Sequence, residues 1–346
     1  MQSTSLTQVL LRNPEHLTAE SILLINMPAD NLVTELFELN GHKNIYCLDF
    51  FYNQHLGHTK QLPEDNCTFD AGYDATNKQH DLVIMQFPKS KQELQFTFAM
   101  IAKSLTAQAR ILIIGDNKGG IKSLPKLLKP SKTYCDKIDS ARHCILFDIS
   151  LPAQESEFDL SNWFKKYSFI INDISIEILA LPGVFSQAKL DVGTRVLLEN
   201  LPNKYDGKLL DFGCGAGVIA SYLGKQNPGL SLSLTDINAL AIASSKATLK
   251  LNGLDGICFP TDSLSSINEQ YDSVITNPPF HQGVKTHYAA TESFLSGINR
   301  FIRKSGNLTV VANNFLQYQP ILEGNFGEVN KTAVKDGFTV YFAKKN

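Results

Sequence analysis

Three glycines at alternate positions mark a sharp change of structure in the second half of the chain. Gly213, Gly215 and Gly217 follow the apolar run 209–212, and a helical pattern begins at Val218. Glycines in a strand-to-helix turn let a ligand approach the backbone and the N-terminus of the helix. The dinucleotide-binding fingerprint would place its third glycine at Val218, so the spacing argues against NAD. The feature therefore predicts an α/β domain with a ligand site at the end of this strand.

A carboxylate follows the glycines at a distance that suits a ribose. The next predicted strand, 230–236, ends in Asp236, about twenty residues beyond the glycine turn. A carboxylate at the end of this strand can accept hydrogen bonds from the two ribose hydroxyls. The turn and the acid together predict a nucleoside-containing ligand.

The tetrapeptide Asn277-Pro-Pro-Phe280 directly follows another apolar run, 271–276. The Asn277 side chain and the carbonyl group of Pro278 can both accept hydrogen bonds, and the two prolines make the turn rigid. Phe280 offers a flat face on which a planar substrate can stack. The motif therefore predicts a site for an amino group on a flat ring. The alternative is an ordinary Pro-Pro turn after a strand.

Strand and helix patterns alternate through residues 184–346, which is typical of a parallel sheet covered by helices. The predicted strands lie near 208–212, 230–236, 256–261, 272–277 and 307–313. The predicted helices lie near 190–200, 217–226, 239–251 and 289–303. The tail of the chain has the pattern of a closing hairpin.

The first half of the chain repeats this plan without the site motifs. Three apolar runs, beginning at Ser21, Asp81 and Arg110, match runs about 190 residues further along the chain. The first copy lacks the alternating glycines, and Gln86-Phe-Pro88 stands where the second copy has Asn-Pro-Pro. We interpret it as a degenerate copy with a binding or scaffolding role. The alternative is a chance similarity between two α/β domains.

With these motifs in place, the chain resembles the class I S-adenosylmethionine-dependent methyltransferases that act on exocyclic or amide nitrogen. The segments 182–186 and 190–198 make it similar, more narrowly, to the ribosomal RNA small subunit methyltransferase C family. The resemblance implies an α/β fold with a tandem pair of Rossmann-like methyltransferase domains, the N-terminal one degenerate. We expect the degenerate domain over 1–150, a connecting segment over 151–183 and the catalytic domain over 184–346.

The same resemblance implies a function and a set of site residues. The family methylates the exocyclic N2 amine of a guanine in 16S ribosomal RNA, so the expected partners are S-adenosyl-L-methionine and that RNA or the small ribosomal subunit. The expected catalytic residues are Asn277, Pro278 and Phe280. The expected cofactor-binding residues are Asp211, Gly213, Gly215, Gly217, Asp236, Asp262, Phe185 and Asp191. For Asp262, which would contact the adenine amine, the alternative role is a helix N-cap.

Charge gives a weaker signal for RNA. The net charge is −2, but one stretch, 117–132, carries five lysines and no acid. Lys118, Lys122 and Lys126 are therefore candidates for contact with RNA phosphates, and the alternative is a solvated helix face.

Composition excludes several other classes. Hydrophobic residues make up 43% and charged residues 19%, and no apolar run approaches the roughly 18 residues that span a membrane. The six cysteines are scattered without a Cys-x-x-Cys pair, and the histidines lack metal-ligand spacing. We expect a monomeric cytoplasmic enzyme without a metal.

Two other functions stay open alternatives: a methyltransferase for DNA amines or protein glutamine, and a non-catalytic RNA-binding module. His281 is a possible assistant in catalysis or a neutral surface imidazole.

Overall fold

The computed structural model describes residues 2–41, 44–74, 76, 78–131, 133–151, 157–278, 285–316 and 318–346, with the backbone alone for 285–290. The chain divides into two compact units, Met1–Trp163 and Phe164–Asn346.

The first unit is built on a sheet of seven strands in the order β3-β2-β1-β4-β5-β7-β6. Its strands are β1 (Ser21–Ile25), β2 (Asn44–Leu48), β3 (Cys67–Thr68), β4 (His80–Gln86), β5 (Leu105–Asp116), β6 (Tyr134–Ala141) and β7 (Cys144–Ser150). Its α-helices are α1 (Ser5–Leu10), α2 (Leu32–Asn40), α3 (Tyr52–His58), α4 (Lys91–Ile101) and α5 (Leu124–Leu128). The strands β1 to β5 pair in parallel, and β7 runs antiparallel to both β5 and β6.

The second unit contains a hairpin and a second sheet of seven strands. Its strands are β8 (Lys165–Ile171), β9 (Ile174–Ala180), β10 (Lys208–Phe212), β11 (Ser231–Asp236), β12 (Ile257–Pro260), β13 (Tyr271–Thr276), β14 (Ile302–Asn313), β15 (Val329–Lys335) and β16 (Phe338–Lys344). Its α-helices are α6 (Val192–Glu199), α7 (Val218–Gln226), α8 (Ala239–Leu251), α9 (Lys285–Gly297) and α10 (Gln319–Phe326). The sheet order is β12-β11-β10-β13-β14-β16-β15.

The two sheets have the same strand order, which confirms the predicted repeat. In each, the first strand pairs in parallel with the second and the fourth, and the closing pair of strands is antiparallel. Helices lie in the connections between consecutive parallel strands, as the alternating pattern predicts, except in those from β3 to β4 and from β12 to β13, where the structure describes only turns and bends. Chance similarity does not give two sheets of identical order and direction.

The central strands of the second sheet are buried because helices cover them. Leu210, Val274 and Leu308, on β10, β13 and β14, are fully buried in one apolar cluster. The ring of Phe212 stacks on that of Phe294 in α9, with 3.8 Å between centroids. Parallel strands buried in this way expose only their ends, so polar residues that follow β10, β11 and β13 meet at one edge of the sheet.

Two predicted boundaries in the second unit are wrong. β14 begins at Ile302 and not near 307, and α9 ends at Gly297, before the predicted end near 303. The pairing of β13 with β14 shifts register between Tyr271 and Ser273, and Ser305 adopts a positive φ of 66°. This irregularity breaks the alternation of apolar and polar residues by which a strand is recognised in a sequence.

The hairpin of β8 and β9 belongs to the second unit and is fastened to α8 by side chains. Thr248 accepts a hydrogen bond from the Leu179 N–H (3.0 Å) and donates one to the Leu179 carbonyl (3.1 Å). Asn252 bonds both backbone groups of Glu177 in the same manner, at 3.2 and 2.7 Å. Thr248 and Asn252, which are four residues apart, thus form with β9 the kind of backbone hydrogen bonds that a neighbouring strand would otherwise supply.

Candidate active site

The glycine turn between β10 and α7 is open where a ligand would lie. Gly213, Gly215 and Gly217 have φ values of 70°, 54° and 76°, a region that side chains rarely adopt. A Cβ atom at Gly213 or Gly215 would meet no other atom within 4 Å, whereas one at Gly217 would lie 3.2 Å from the Cα of Ser245. The first two glycines therefore face open space, and the third is required by packing.

Asp236, at the end of β11, holds the glycine turn in place. Its Oδ2 accepts a hydrogen bond from the Gly215 N–H at 2.9 Å, and its Oδ1 accepts one from the Asn238 N–H at 3.0 Å. Burial raises the pKa of the Asp236 carboxyl group, and these backbone donors oppose the rise. Each carboxylate oxygen has a second lone pair, so the group can still accept from a ligand hydroxyl.

Asp211 lies in β10 beneath the turn and is fully buried. Its Oδ2 accepts a hydrogen bond from the Ala220 N–H at 3.0 Å, in the first turn of α7. That helix begins at Gly217, which has no side chain to cap it, so Asp211 supplies the acceptor from the neighbouring strand. Burial raises the pKa of Asp211 to about 7.

Asn277 follows β13 and is oriented by α6. Its Nδ2 donates hydrogen bonds to the Thr194 Oγ1 at 2.8 Å and to the Asp191 Oδ2 at 3.3 Å. The amide nitrogen is thereby committed to the protein, and the carbonyl oxygen is the end that can accept from a substrate. Pro278, the next residue, is buried.

The N-terminal turn of α6 fixes the acceptors that orient Asn277. Asp191 is the N-cap residue of α6 and accepts a hydrogen bond from the Thr194 N–H at 2.9 Å. The motif Asp191-Val-Gly-Thr194 therefore has two tasks: it caps a helix and it positions an amide. The sequence pattern assigns Asp191 to the cofactor and predicts no role for Thr194, although an aspartate directly before a helical pattern is an N-cap signal.

Several of these residues line one cleft at the carboxyl edge of the second sheet, whereas Asp211, Gly217, Asp236 and Pro278 lie outside its lining. The lining residues come from the segment before α6, from α6 itself, from the glycine turn and from the end of β13: Phe185, Ser186, Leu190, Asp191, Thr194, Gly213, Cys214, Gly215, Ala216, Val218, Ile219 and Asn277. The predicted residues Phe185, Asp191, Gly213, Gly215 and Asn277 are thus brought together. Asp211 is a support beneath this cleft and not part of its lining.

Other predicted residues lie beside the cleft or outside the described chain. Asp262 follows β12, the strand next to β11, and is half-buried; a turn and not a helix follows it, so it is not a helix N-cap. Phe280 and His281 lie outside the residues that the structure describes.

The lysine stretch of the first unit is not one helix. It forms the 3₁₀ turns Asn117–Gly119 and Ile121–Ser123, then α5, then a third 3₁₀ turn. Lys118, Lys122 and Lys126 are exposed, and none of them forms an ion pair with a described residue. The three lysines therefore do not lie on one face of a single helix.

The fold and the cleft define a methyltransferase with two related domains. Residues 175–342 match the family described as Methyltransferase small domain, and residues 7–167 match Methyltransferase small domain N-terminal. These two matches confirm the predicted tandem pair of Rossmann-like domains.

Comparison with whole proteins gives the family. The chain is 47% identical to the Ribosomal RNA small subunit methyltransferase C of Colwellia psychrerythraea, over 99% of this chain and 98% of that protein. It is 40% identical to the protein of the same name from Pseudoalteromonas translucida, over 98% of each chain. The chain therefore belongs to the ribosomal RNA small subunit methyltransferase C family, which confirms the predicted family and a function in methylating ribosomal RNA.

A solved structure shares the fold. The T. thermophilus 16S rRNA N2 G1207 methyltransferase, in complex with AdoMet and guanosine, superposes with a TM-score of 0.77 at 21% identity. The superposition covers 94% of this chain and 88% of that one.

Membrane spans and metal clusters are both absent from the part of the chain that the structure describes. No helix there is long and apolar enough to cross a membrane. Among the described residues, no group of three or more His, Cys, Asp or Glu side chains is placed to hold a metal ion.

Proposed function

We propose that this protein transfers a methyl group from S-adenosyl-L-methionine to the exocyclic N2 amine of a guanine in 16S ribosomal RNA. The observation that carries the proposal is the Asn277 amide, whose nitrogen is bound by Thr194 and Asp191 beside an open glycine turn. Family membership favours ribosomal RNA as the substrate over DNA or protein glutamine. A cytoplasmic location and a monomeric state stay predictions.

The residues around the cleft fit the cofactor. The space above Gly213 and Gly215 admits a ligand against the backbone, and the half-buried Asp236 can accept from ribose hydroxyls at the end of β11. We assign Asp262, which follows the neighbouring strand β12, to the adenine amine, and Phe185 and Asp191, which line the cleft, to the methionine end. When bound, S-adenosyl-L-methionine supplies an electrophilic methyl group.

The chain's own task is to orient a weak nucleophile. The lone pair of a guanine amine is delocalised into the ring, so the amine reacts only when its hydrogens are held out of the ring plane. The Asn277 carbonyl oxygen and the Pro278 carbonyl group accept hydrogen bonds from the two N–H groups and direct the lone pair outwards. Alignment of this kind accounts for most of the acceleration, and the product cation loses its proton to water without a strong general base.

Replacing Asn277 by Ala tests this assignment. Because the contact to the amine is strongest in the transition state, we expect kcat to fall on the order of 100-fold while cofactor affinity stays nearly constant. Thr194→Val removes one of the two acceptors that orient the amide and leaves Asp191 in place, so we expect a smaller loss of roughly 10-fold. Methyl transfer to 16S RNA from cells lacking the protein measures the rates, and calorimetry measures cofactor binding.

The exposed Thr332 of β15 provides a matched control, since Thr332→Val makes the same chemical change away from the cleft. Mass spectrometry of nucleosides from the methylated RNA identifies the product. A wild-type rate in Asn277→Ala would remove this residue from the mechanism. A methylated adenine or cytosine would overturn guanine as the target.

A further inference from the structure

We propose that two exposed apolar side chains, Val192 and Phe315, together with the cations Lys189 and Arg195, bind the single-stranded RNA nucleotides that flank the target base. These four residues are called the flanking surface. The proposal rests on the proposed function, and it adds a place for RNA on the second unit outside the cofactor cleft.

The apolar pair is unusually exposed for side chains of its kind. Phe315 is 55% exposed and Val192 is 49% exposed. Val192 is the first residue of α6, and Phe315 stands in the turn that follows β14. Neither side chain contributes to the apolar core, so burial does not explain them.

The segments that carry the two side chains are packed against the same strand, β16. Gly193, next to Val192, packs so closely on Phe338 that a Cβ there would lie 2.7 Å from the ring. Phe338 pairs with Asn313, the last residue of β14, and the Asn314 N–H donates to the Gly337 carbonyl at 2.9 Å. Val192 and Phe315 therefore stand on either side of one packed contact between α6, β14 and β16.

This contact is joined to the catalytic amide by a single residue. Asp191 precedes Val192 and accepts a hydrogen bond from the Asn277 side chain at 3.3 Å. The apolar pair is thus at the carboxyl edge of the sheet, where a base bound at Asn277 must leave the rest of its strand. A base that has been unstacked from RNA leaves the adjacent bases without a stacking partner, and an exposed aromatic ring can replace it.

Charge supports RNA as the occupant. Lys189 precedes Val192 in the sequence and Arg195 follows it. Both side chains are exposed, and neither forms an ion pair with a described residue. Arg303, in contrast, lies at the opposite end of β14 and is bound to Asp272 at 2.8 Å. Aromatic rings beside free cations are the combination with which proteins hold single strands. Two apolar side chains are too small a patch for a stable protein interface.

The test compares Phe315→Ala with a control variant at another exposed apolar residue. Ile257 is 65% exposed and begins β12 at the opposite edge of the sheet, so Ile257→Ala removes a similar apolar surface away from the site. We expect Phe315→Ala to weaken binding of 16S RNA on the order of 10-fold. KM for RNA should rise with kcat and cofactor binding nearly unchanged, and Ile257→Ala should behave as the wild type. Phe315→Leu, which keeps an apolar side chain but loses the ring, should fall between them.

The cations are tested by salt dependence. The double variant Lys189→Gln, Arg195→Gln should make the slope of log affinity against log salt shallower by roughly 0.7 for each RNA phosphate that is no longer neutralised. Equal RNA affinity and KM in Phe315→Ala and Ile257→Ala, together with an unchanged salt slope, would overturn the flanking surface. If the wild-type protein itself does not methylate 16S RNA, the proposed function fails instead, so the two failures are distinguishable.

Discussion

At the scale of single residues, Asp211 has a different task from the one expected. Its position beside the glycines suggests a ligand contact, but the carboxylate caps α7 from beneath, and its Oδ1 is buried without a hydrogen-bond partner among the described residues. A buried carboxylate with one backbone donor is poorly solvated, and this desolvation raises its pKa to about 7. The residue therefore links the stability of the second unit to pH.

The direction of this link follows from the shift. The folded-state pKa lies above the ordinary value of 3.8, so ionisation of Asp211 opposes folding, and its contribution to stability is lost as the pH rises from about 4 to about 7. Asp211→Asn cannot ionise. We expect the unfolding free energy of the wild type, relative to this variant, to fall by about 4 kcal/mol over that range, at 1.36 kcal/mol per pKa unit. Urea unfolding of the cofactor-free protein at several pH values measures it, and a constant difference would contradict the assignment.

The glycines and the hydrogen-bond acceptor Asn277 could be predicted from the sequence, because each of these positions at a strand end requires a particular residue type. Gly213, Gly215 and Asn277 have conformations or chemistry that few other residues offer. Thr194 could not be predicted, since nothing in its neighbourhood shows that its hydroxyl points towards a strand 83 positions further along the chain. Contacts between distant segments are set by packing, which a sequence pattern does not encode.

At the scale of elements, periodicity identifies the regular pieces and fails at the irregular ones. α8 has the predicted bounds, 239–251, because Asn238 caps its first turn through hydrogen bonds from Leu240 and Ala241. The alternating stretch 169–179 predicts a single strand leading into the second domain, whereas the structure has the hairpin of β8 and β9 over this part of the chain. The signal that this pattern overlooks is the turn at Asn172 and Asp173, both with positive φ.

The fastening of that hairpin to α8 leads to a prediction about stability. Asn252→Ala would leave the N–H and carbonyl of Glu177 without their side-chain partners, at a cost of roughly 1 to 3 kcal/mol. Asn200→Ala is the matched control, because its amide bonds only a carbonyl within its own helix, that of Val196. Thermal unfolding compares the two variants. Equal melting temperatures would show that the Asn252 hydrogen bonds do not contribute measurably to holding β9 on α8.

At the scale of the whole molecule, the two units show how one fold keeps or loses a cofactor site. Asn26 stands after β1 as Gly213 stands after β10, and both have positive φ and donate to the strand alongside. In the first unit the Asn26 side chain accepts from the Phe50 N–H at 2.6 Å. Asp49, which follows β2 as Asp236 ends β11, is fully buried against His58 at 2.8 Å. The Asn26 side-chain oxygen is thus already bonded to the protein, and the Asp49 Oδ1 atom, although it has no hydrogen-bond partner among the described residues, is buried beyond the reach of a cofactor.

A single cofactor site for each chain is the expected consequence. Calorimetry of the full-length protein with S-adenosyl-L-methionine should give one molecule bound per chain, since among the described residues the strand-end acid of the second unit is partly exposed beside an open glycine turn, whereas that of the first unit is fully buried. Asp236→Ala removes the carboxylate and releases the Gly215 N–H, so it should abolish most of the binding. Asp49→Asn, the matched change in the first unit, should leave the stoichiometry and affinity unaltered. Two molecules bound per chain would contradict the degenerate role of the first unit.

The lysine stretch of the first unit is the remaining feature that the cleft does not explain. A chain with a net charge of −2 needs local positive charge to hold RNA, and Lys118, Lys122 and Lys126 are exposed without described ion-pair partners. Changing all three to Gln should weaken RNA binding and make its salt slope shallower by roughly 0.7 to 0.9 for each phosphate that is left without its lysine. Changing all three to Arg keeps the charge and should preserve both. Cofactor binding should not move in either variant, because the glycine cleft lies in the other unit. An unaltered salt slope in the Gln variant would show that the stretch is only solvated, and would leave RNA docking to the second unit.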